Sequence, residues 1–193
     1  MRSRSSSGPR PTRLGFPCPS TRSTSASPWA LQAAWALPPG AIVFERPARN
    51  GTRIDLWVRD PYDLTIEIKY LRSHPSGSQP ARPMHYGLLL ADFNKVVQAP
   101  GRFRLIVLVA DDGYVQYIER SGRSVLPLRA GDTASISRSS LGRLADTPRK
   151  KAETYGAWRD LRTTLRWSSK TAGCSLFAWE VTPGSDSSQT VTD

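Results

Sequence analysis

Residues 53–70 decide how this chain folds, and they read Arg53-Ile-Asp-Leu-Trp-Val-Arg-Asp-Pro-Tyr-Asp-Leu-Thr-Ile-Glu-Ile-Lys-Tyr70. Apolar and polar residues alternate on both sides of the segment around Pro61, which predicts two short strands joined by a turn. Side chains two positions apart share a face of a strand. One face of the predicted hairpin is therefore apolar, with Ile54, Leu56, Val58, Leu64, Ile66, Ile68 and Tyr70. The other face carries Arg53, Asp55, Trp57, Thr65, Glu67 and Lys69.

This second face brings two carboxylates and an ammonium group together. An antiparallel register around Pro61 places Asp55 opposite or diagonal to Glu67, a few ångströms away. Carboxylate oxygens are the hard ligands that Mg²⁺ prefers, and the ion keeps other positions for water and phosphate oxygens. Lys69 beside them can orient an attacking water or offset charge on a phosphoryl group. The same pattern also fits a solvated face on which Glu67 pairs with Lys69 or Arg53.

A buried strand follows the hairpin. Residues 105–109 form an unbroken apolar run within a predicted strand at Arg102–Ala110, as is typical of a strand covered on both faces. A helix is predicted between them at Pro83–Gln98, because Pro83 suits a first turn and Ala99-Pro-Gly101 ends the pattern. The order strand, helix, strand implies a crossover and parallel pairing. The expected fold class is therefore α/β, in three layers, with a mixed central β-sheet flanked by helices.

The rest of the chain predicts one domain, residues 28–181, between two tails. Residues 1–27 are rich in Ser, Arg and Pro and are expected to be disordered, as is the polar segment 182–193. The other predicted elements are a helix at Pro28–Leu37, a strand at Ala41–Glu45, a Pro/Gly/Ser-rich loop at His74–Pro83, a strand at Tyr114–Ile118 after the turn Asp111-Asp-Gly113, short strands at Val125–Leu128 and Ala134–Ile136, a helix at Lys151–Trp167 and a strand at Cys174–Val181.

Three further groups of charged residues have two readings each. Glu45, at the end of a predicted strand, is a third metal ligand beside Asp55 and Glu67 or a solvated strand end. Asp92 and Lys95 lie three apart on the predicted helix, and an ordinary intrahelical pair is favoured over contact with the site. The third group is a basic stripe on the predicted helix at Lys151–Trp167, where a solvated face is favoured over a phosphate-binding one. Its members are Arg159, Arg162 and Arg166.

Composition limits the class of protein. No apolar run approaches the roughly 18 residues of a membrane span. Cys18 and Cys174 are too few for a disulfide framework and lack the neighbours of a zinc site, so a reducing, cytoplasmic setting is expected. The net charge is +11, and residues 1–40 hold five arginines and no acid. This charge favours a polyanionic partner, although much of the excess lies in the N-terminal tail.

Taken together, the order of elements and the residues Arg53-Ile-Asp55 and Thr65-Ile-Glu67-Ile-Lys69 resemble the PD-(D/E)XK nuclease superfamily, also called restriction endonuclease-like. The resemblance covers residues 28–120 and extends less strongly to 181. It implies that Asp55 and Glu67 bind Mg²⁺, with Mn²⁺ as a substitute, and that Lys69 is the catalytic lysine. Glu45 would match the upstream acid of many members, and the helix with Asp92-Phe-Asn-Lys95 would pack beside the site. One departure is Ile54, which stands where the family name has proline.

The resemblance implies a magnesium-dependent nuclease that hydrolyses phosphodiester bonds in nucleic acid, with DNA expected, by metal-activated water. The alternative is a catalytically inactive nucleic-acid-binding or assembly module that keeps the fold. No target-recognition region is identifiable, so a homodimer or a separate specificity partner is expected to supply it. The chain also lacks a phosphate-binding Gly-rich Lys-Ser/Thr motif and has two histidines, which disfavours other hydrolase types.

Overall fold

A computed structural model describes residues 37–48, 51–72, 82–120, 124–171 and 173–184. These residues build one mixed sheet of seven strands, with helices packed against it, in the order β1-β2-β3-β4-β7-β6-β5. The strands are β1 (Ile42–Pro47), β2 (Arg53–Val58), β3 (Leu64–Leu71), β4 (Phe103–Asp111), β5 (Thr133–Ile136), β6 (Leu161–Thr171) and β7 (Cys174–Pro183). The helices are α1 (Arg82–Val97), α2 (Asp112–Arg120), α3 (Arg138–Leu141) and α4 (Asp146–Ala152).

The centre of the sheet agrees with the sequence prediction. Strands β2 and β3 form an antiparallel hairpin, and β3 pairs in parallel with β4 from Leu64↔Phe103 to Leu71↔Ala110. Helix α1 makes the crossover between β3 and β4, because parallel neighbours cannot be joined by a tight turn. The predicted α/β class with a mixed sheet flanked by helices is thus confirmed.

Strands β2 and β3 separate before either of them ends. Their paired residues run from Val58↔Leu64 to Leu56↔Ile66, and the pairing stops there. Strand β3 continues to Leu71 beside β4, while β2 continues back to Arg53 beside β1. The two strands therefore form a fork, and Asp55 and Glu67 are the first residues beyond the last pair.

Helix α1 covers the sheet face on which Glu67 lies. Its predicted stripe of Leu89, Phe93, Val96 and Val97 is buried and belongs to the main core with Ile106, Leu108 and Trp179. Phe93 meets Trp179 edge to face, with 5.7 Å between ring centres. Ile106 and Leu108 are the β4 partners of Glu67 and Lys69, so all four lie on the α1 side.

The apolar face predicted for the hairpin is exposed in the second half of β3. Ile68 and Tyr70 are 50% and 53% exposed, whereas Thr65 and Glu67 are buried. Ile66, near the fork, still packs in a smaller core cluster with Leu56. The cause is the fork itself, because β2 leaves β3 beyond Ile66 and no longer flanks it. The polar face becomes the buried one because α1 packs on it.

The strand predicted at Tyr114–Ile118 is wrong, because these residues lie in helix α2. Tyr114, Val115 and Ile118 are buried, at the one- and four-residue spacing of a helix face. Asp111 Oδ1 accepts a hydrogen bond from Tyr114 N at 2.9 Å, which satisfies a free donor of the first helical turn. The Asp111-Asp-Gly113 segment thus starts a helix instead of a hairpin turn.

The helix predicted at Lys151–Trp167 is also wrong. Helix α4 ends at Ala152, and β6 begins at Leu161. Leu161, Thr163 and Leu165 are buried in alternation, because β6 pairs with β5 and β7. The period of two is that of a strand. The residues of the basic stripe, Arg159, Arg162 and Arg166, are exposed and share no helix.

Smaller differences concern boundaries. Strand β1 runs from Ile42 to Pro47, two residues past the predicted end at Glu45, and β5 begins one residue before the prediction. Residues 125–128 form no strand. Three predicted segments lie wholly or mostly outside the described residues. They are the helix at Pro28–Leu37, of which only Leu37 is described, residues 74–81 of the predicted loop, and most of both tails. Among the helices described, none is long and apolar enough to cross a membrane.

Candidate functional site

The fork between β2 and β3 holds Asp55 and Glu67 in contact. Ile68 N donates a hydrogen bond to Asp55 Oδ2 at 2.8 Å, and Asp55 N donates to Glu67 Oε2 at 3.4 Å. These two backbone N–H groups thus donate to side-chain carboxylates. In a continuous pair of strands they would be available to carbonyl oxygens of the neighbouring strand. The fork fixes two acids next to each other.

Helix α1 supplies a lysine to this pair. Lys95 Nζ lies 2.5 Å from Glu67 Oε1 and 2.9 Å from the carbonyl oxygen of Arg53, so it bridges β3 and β2. Both side chains of the ion pair are nearly inaccessible, with 8% of Lys95 and 7% of Glu67 exposed. A buried pair of this kind is satisfied only when each charge keeps its partner.

The second ion pair also joins β3 to α1, but here the lysine is on the strand and the acid is on the helix. Lys69 Nζ on β3 lies 2.8 Å from Asp92 Oδ2 on α1. Lys95 Nζ lies 3.9 Å from the other oxygen, Asp92 Oδ1. The Asp92 side chain is 1% exposed, and neither oxygen accepts a hydrogen bond of good geometry from the described residues. Two acids and two lysines therefore alternate in charge across the interface of α1 with β3.

This arrangement corrects the reading of Asp92 and Lys95 as an ordinary intrahelical pair. Each residue is closer to a group on β3 than to the other. Their three-residue spacing puts both on the sheet-facing side of α1. One feature of the sequence indicates this position. Asp92 and Lys95 directly precede Phe93 and Val96, which belong to the buried apolar stripe of the helix.

Burial controls the protonation of the acids. Burial raises the pKa of Glu67 from 4.5 to about 7, and Asp55 and Asp92 add to this rise while the hydrogen bond and charge of Lys95 oppose it. Burial also raises the pKa of Asp92, against the charges of Lys69 and Lys95. Burial lowers the pKa of Lys69, but the charges of Asp92, Tyr155 and Glu67 outweigh it and the net shift is upward.

Two aromatic groups border the site. Lys95 Nζ lies 5.4 Å from the ring centre of Tyr155, within reach of a cation–π interaction. His85 Nδ1 and the Tyr114 hydroxyl share a hydrogen bond, and their rings stack. Burial, and secondly the charge of Lys69, lowers the pKa of His85. Sequence patterns do not predict either contact, because each joins segments that are distant in the sequence.

The segment after α4 is fixed to α1 by one amide. Asn94 Nδ2 donates to the carbonyl oxygens of Gly156 and Ala157, each at 3.2 Å, and its Oδ1 accepts from Arg159 N at 3.0 Å. Asn94 is fully buried and adjacent to Lys95 in sequence. These bonds hold the turn that carries Tyr155 against Lys95.

Glu45 lies apart from the buried acids. Its carboxylate pairs with Arg53 Nη1 at 2.7 Å, and both side chains are about two-thirds exposed, 70% and 67%. The backbone of Glu45 has φ of 48°, a left-handed conformation that is uncommon for a residue other than glycine. The structure therefore brings Asp55, Glu67 and Lys69 into one region and leaves the Glu45 carboxylate on the surface.

The donor set can be compared with the needs of a metal ion. Within the described residues, no group of three or more His, Cys, Asp or Glu side chains is close enough to hold a metal. Mg²⁺ is commonly held by one or two carboxylates together with waters and substrate phosphates. Asp55 and Glu67 supply two such carboxylates, and Asp92 adds a third, buried one that is paired with Lys69 and Lys95. The residues present fit Mg²⁺ and do not form a cage made of protein ligands alone.

The fold and the site define an α/β protein with a cluster of acids and lysines between the central sheet and its crossover helix. A search against family models found no match, and neither curated proteins nor solved structures gave a significant match to the chain.

Proposed function

We propose that this protein is a metal-dependent nuclease that hydrolyses phosphodiester bonds in DNA. The observation that carries the proposal is the contact of Asp55 with Glu67 at the strand fork, with Lys69 two residues further on the same face. Two acids on neighbouring strands, one of them in an acid-X-lysine sequence, resemble the site of the restriction endonuclease-like superfamily. The parallel β3–β4 pair with α1 as crossover supports the same assignment.

In this proposal each residue has a chemical role. Asp55 and Glu67 hold Mg²⁺, or Mn²⁺ in its place, and the ion supplies Lewis-acid activation of water and charge compensation at the phosphoryl group. Lys69, 26% exposed, is the group that reaches the substrate side, while Asp92 fixes its ammonium. Glu45 is not needed, because two carboxylates are enough for Mg²⁺.

Exposed cations beside α1 support a polyanionic substrate. Arg149, Lys150 and Lys151 of α4 are exposed. A Cβ added at Gly87 of α1 would lie 2.6 Å from Lys151 Cβ, which shows how closely the two helices pack. Lys151 thus lies against the helix that carries Asp92 and Lys95, and the exposed lysines of α4 can contact phosphates of a bound strand.

A second function, an inactive nucleic-acid-binding or assembly module, has one observation in its favour. Both lysines of the site are engaged in ion pairs, Lys95 with Glu67 and Lys69 with Asp92. A domain that had lost catalysis could keep such pairs for stability. This alternative predicts nucleic-acid binding that Asp55→Ala leaves unchanged, and no cleavage by the native chain.

A cleavage assay separates the two functions. The purified chain is incubated with plasmid, single-stranded DNA and RNA, with Mg²⁺ or Mn²⁺ and with chelator, beside Asp55→Asn, Glu67→Gln and Lys69→Met. Matched controls are Asp132→Asn, Glu119→Gln and Lys170→Met, at exposed positions outside the site. Metal-dependent cleavage of DNA that the three site variants lose and the controls keep is expected. Equal cleavage by the site variants, or cleavage in chelator, would overturn the proposal.

A further inference from the structure

Lys95 already places a positive charge against the carboxylate pair at the fork. Its ammonium contacts Glu67 Oε1 at 2.5 Å, and Glu67 Oε2 faces Asp55 N at 3.4 Å. A divalent ion held by Asp55 and Glu67 would lie beside this ammonium, whose own side chain and that of Glu67 are nearly inaccessible. Two cations in such a place repel each other strongly, because the surroundings screen charge weakly.

A second acceptor for the ammonium exists on the same helix. Asp92 Oδ1 is 3.9 Å from Lys95 Nζ, within ion-pair range but beyond hydrogen-bond distance. That oxygen is buried and accepts no hydrogen bond from the described residues. A rotation about the flexible lysine side chain would close this gap and satisfy the oxygen.

We propose that Lys95 is the resident counter-ion of the Asp55–Glu67 pair, and that a divalent metal ion binds there by displacing the Lys95 ammonium from Glu67 to Asp92. This inference rests on the proposed function, since it assumes that the pair binds a metal. Lys95 is a positioning residue in this scheme. In the metal-free protein its ammonium balances the charge of Glu67. It thereby sets the metal concentration at which the site fills.

Metal titration of the intact 193-residue chain tests this exchange without measuring cleavage. Binding of Mn²⁺ is followed by calorimetry at pH 8.5, in wild type, Lys95→Met, Asp92→Asn and the double variant, with Lys170→Met as the matched lysine control. Lys95→Met is expected to bind Mn²⁺ roughly tenfold more tightly, because the competing cation is gone. Asp92→Asn is expected to bind more weakly, and this loss should shrink in the Lys95→Met background.

A second measurement uses wild type alone, in case Lys95→Met fails to fold. The side-chain amino resonance of Lys95 is followed by NMR during titration with diamagnetic Mg²⁺, with Lys170 as the internal reference. A shift of Lys95 that saturates with metal binding is expected. Equal or weaker Mn²⁺ affinity in Lys95→Met, or an unchanged Lys95 resonance when metal binds, would overturn the exchange. Asp55→Asn is titrated beside these variants, and Mn²⁺ binding that is absent in wild type, or as tight in Asp55→Asn as in wild type, would overturn the proposed function as well.

Discussion

Lys95 Nζ lies 2.5 Å from Glu67 Oε1 across 28 positions of sequence. This ion pair and the pair of Lys69 with Asp92 both join the crossover helix α1 to strand β3. The helix is therefore part of the site and not only a cover for the core. Both stability and chemistry should respond to changes in these four side chains.

Removal of one partner of the buried pair should destabilise the metal-free protein. Lys95→Met leaves Glu67 without its counter-ion, and the cost of breaking a buried pair is about 3 kcal/mol in the free energy of unfolding. The double variant Glu67→Gln/Lys95→Met should recover part of that loss, since it removes both charges. Urea unfolding at pH 8 in chelator measures both changes. A double variant no more stable than the worse single variant would show that the loss comes from packing and not from charge.

The stability of the metal-free protein should fall as pH rises through neutrality. Glu67 has a pKa of about 7 in the folded chain and 4.5 as its usual value, so between these pH values the folded state holds a proton that the unfolded state releases. Its contribution is therefore complete below about pH 4.5 and is lost as pH rises through 7. Melting temperatures in chelator at pH 6 and pH 8 measure this loss. Glu67→Gln should show a smaller fall than wild type, and Glu119→Gln, at an exposed position, should match wild type.

Much of the central fold followed from the sequence because the relevant patterns are local. The alternation around Pro61, the apolar run at residues 105–109 and the helix boundaries near Pro83 each have a short-range cause. The two wrong elements, at Tyr114–Ile118 and Lys151–Trp167, have mixed spacing, and strand pairing or helix packing decided between the alternatives. Local propensity is weaker than these tertiary contacts.

The candidate site was predictable only on the hairpin. Asp55, Glu67 and Lys69 share a strand face by simple alternation, and the structure places them on one side of the sheet. Which face of β3 is buried depended on the packing of α1 and on the fork, and no local sequence pattern indicates either of them. The partners of Glu67 and Lys69 depended on how α1 sits on the sheet, so Lys95 and Asp92 appeared as an ordinary helix pair.

If the chain is the proposed nuclease, its cleavage rate should depend on pH through Glu67 and not through Lys69. Asp92 outweighs burial and raises the pKa of Lys69, so its ammonium stays charged from pH 6 to pH 9. Activity is expected to rise through about pH 7 as Glu67 ionises, at limiting metal concentration. Rate profiles with several Mg²⁺ concentrations check this, because the rise should move to lower pH when metal is plentiful. Lys69→Met should lower the rate by roughly a hundredfold or more at every pH, without moving the midpoint. A midpoint that moves in Lys69→Met would assign the titration to Lys69.

The close packing of α1 on α4 should be needed to place Lys95. Gly87 has no side chain, and a Cβ there would lie 2.6 Å from both Lys151 Cβ and Pro148 O, so Gly87→Ala must push the helices apart. Such overpacking costs about 1–3 kcal/mol in the free energy of unfolding. Because Asn94 ties the same helix to residues 156–159, the shift should also disturb the contact of Lys95 with Glu67 and alter Mn²⁺ affinity. The matched control is Gly142→Ala, since Gly142 has an ordinary helical φ of −60° and a nearest contact of 3.2 Å. Urea unfolding and Mn²⁺ titration of both variants test the coupling. If Gly87→Ala lowers stability and leaves Mn²⁺ affinity at the wild-type value, the position of α1 does not control the site.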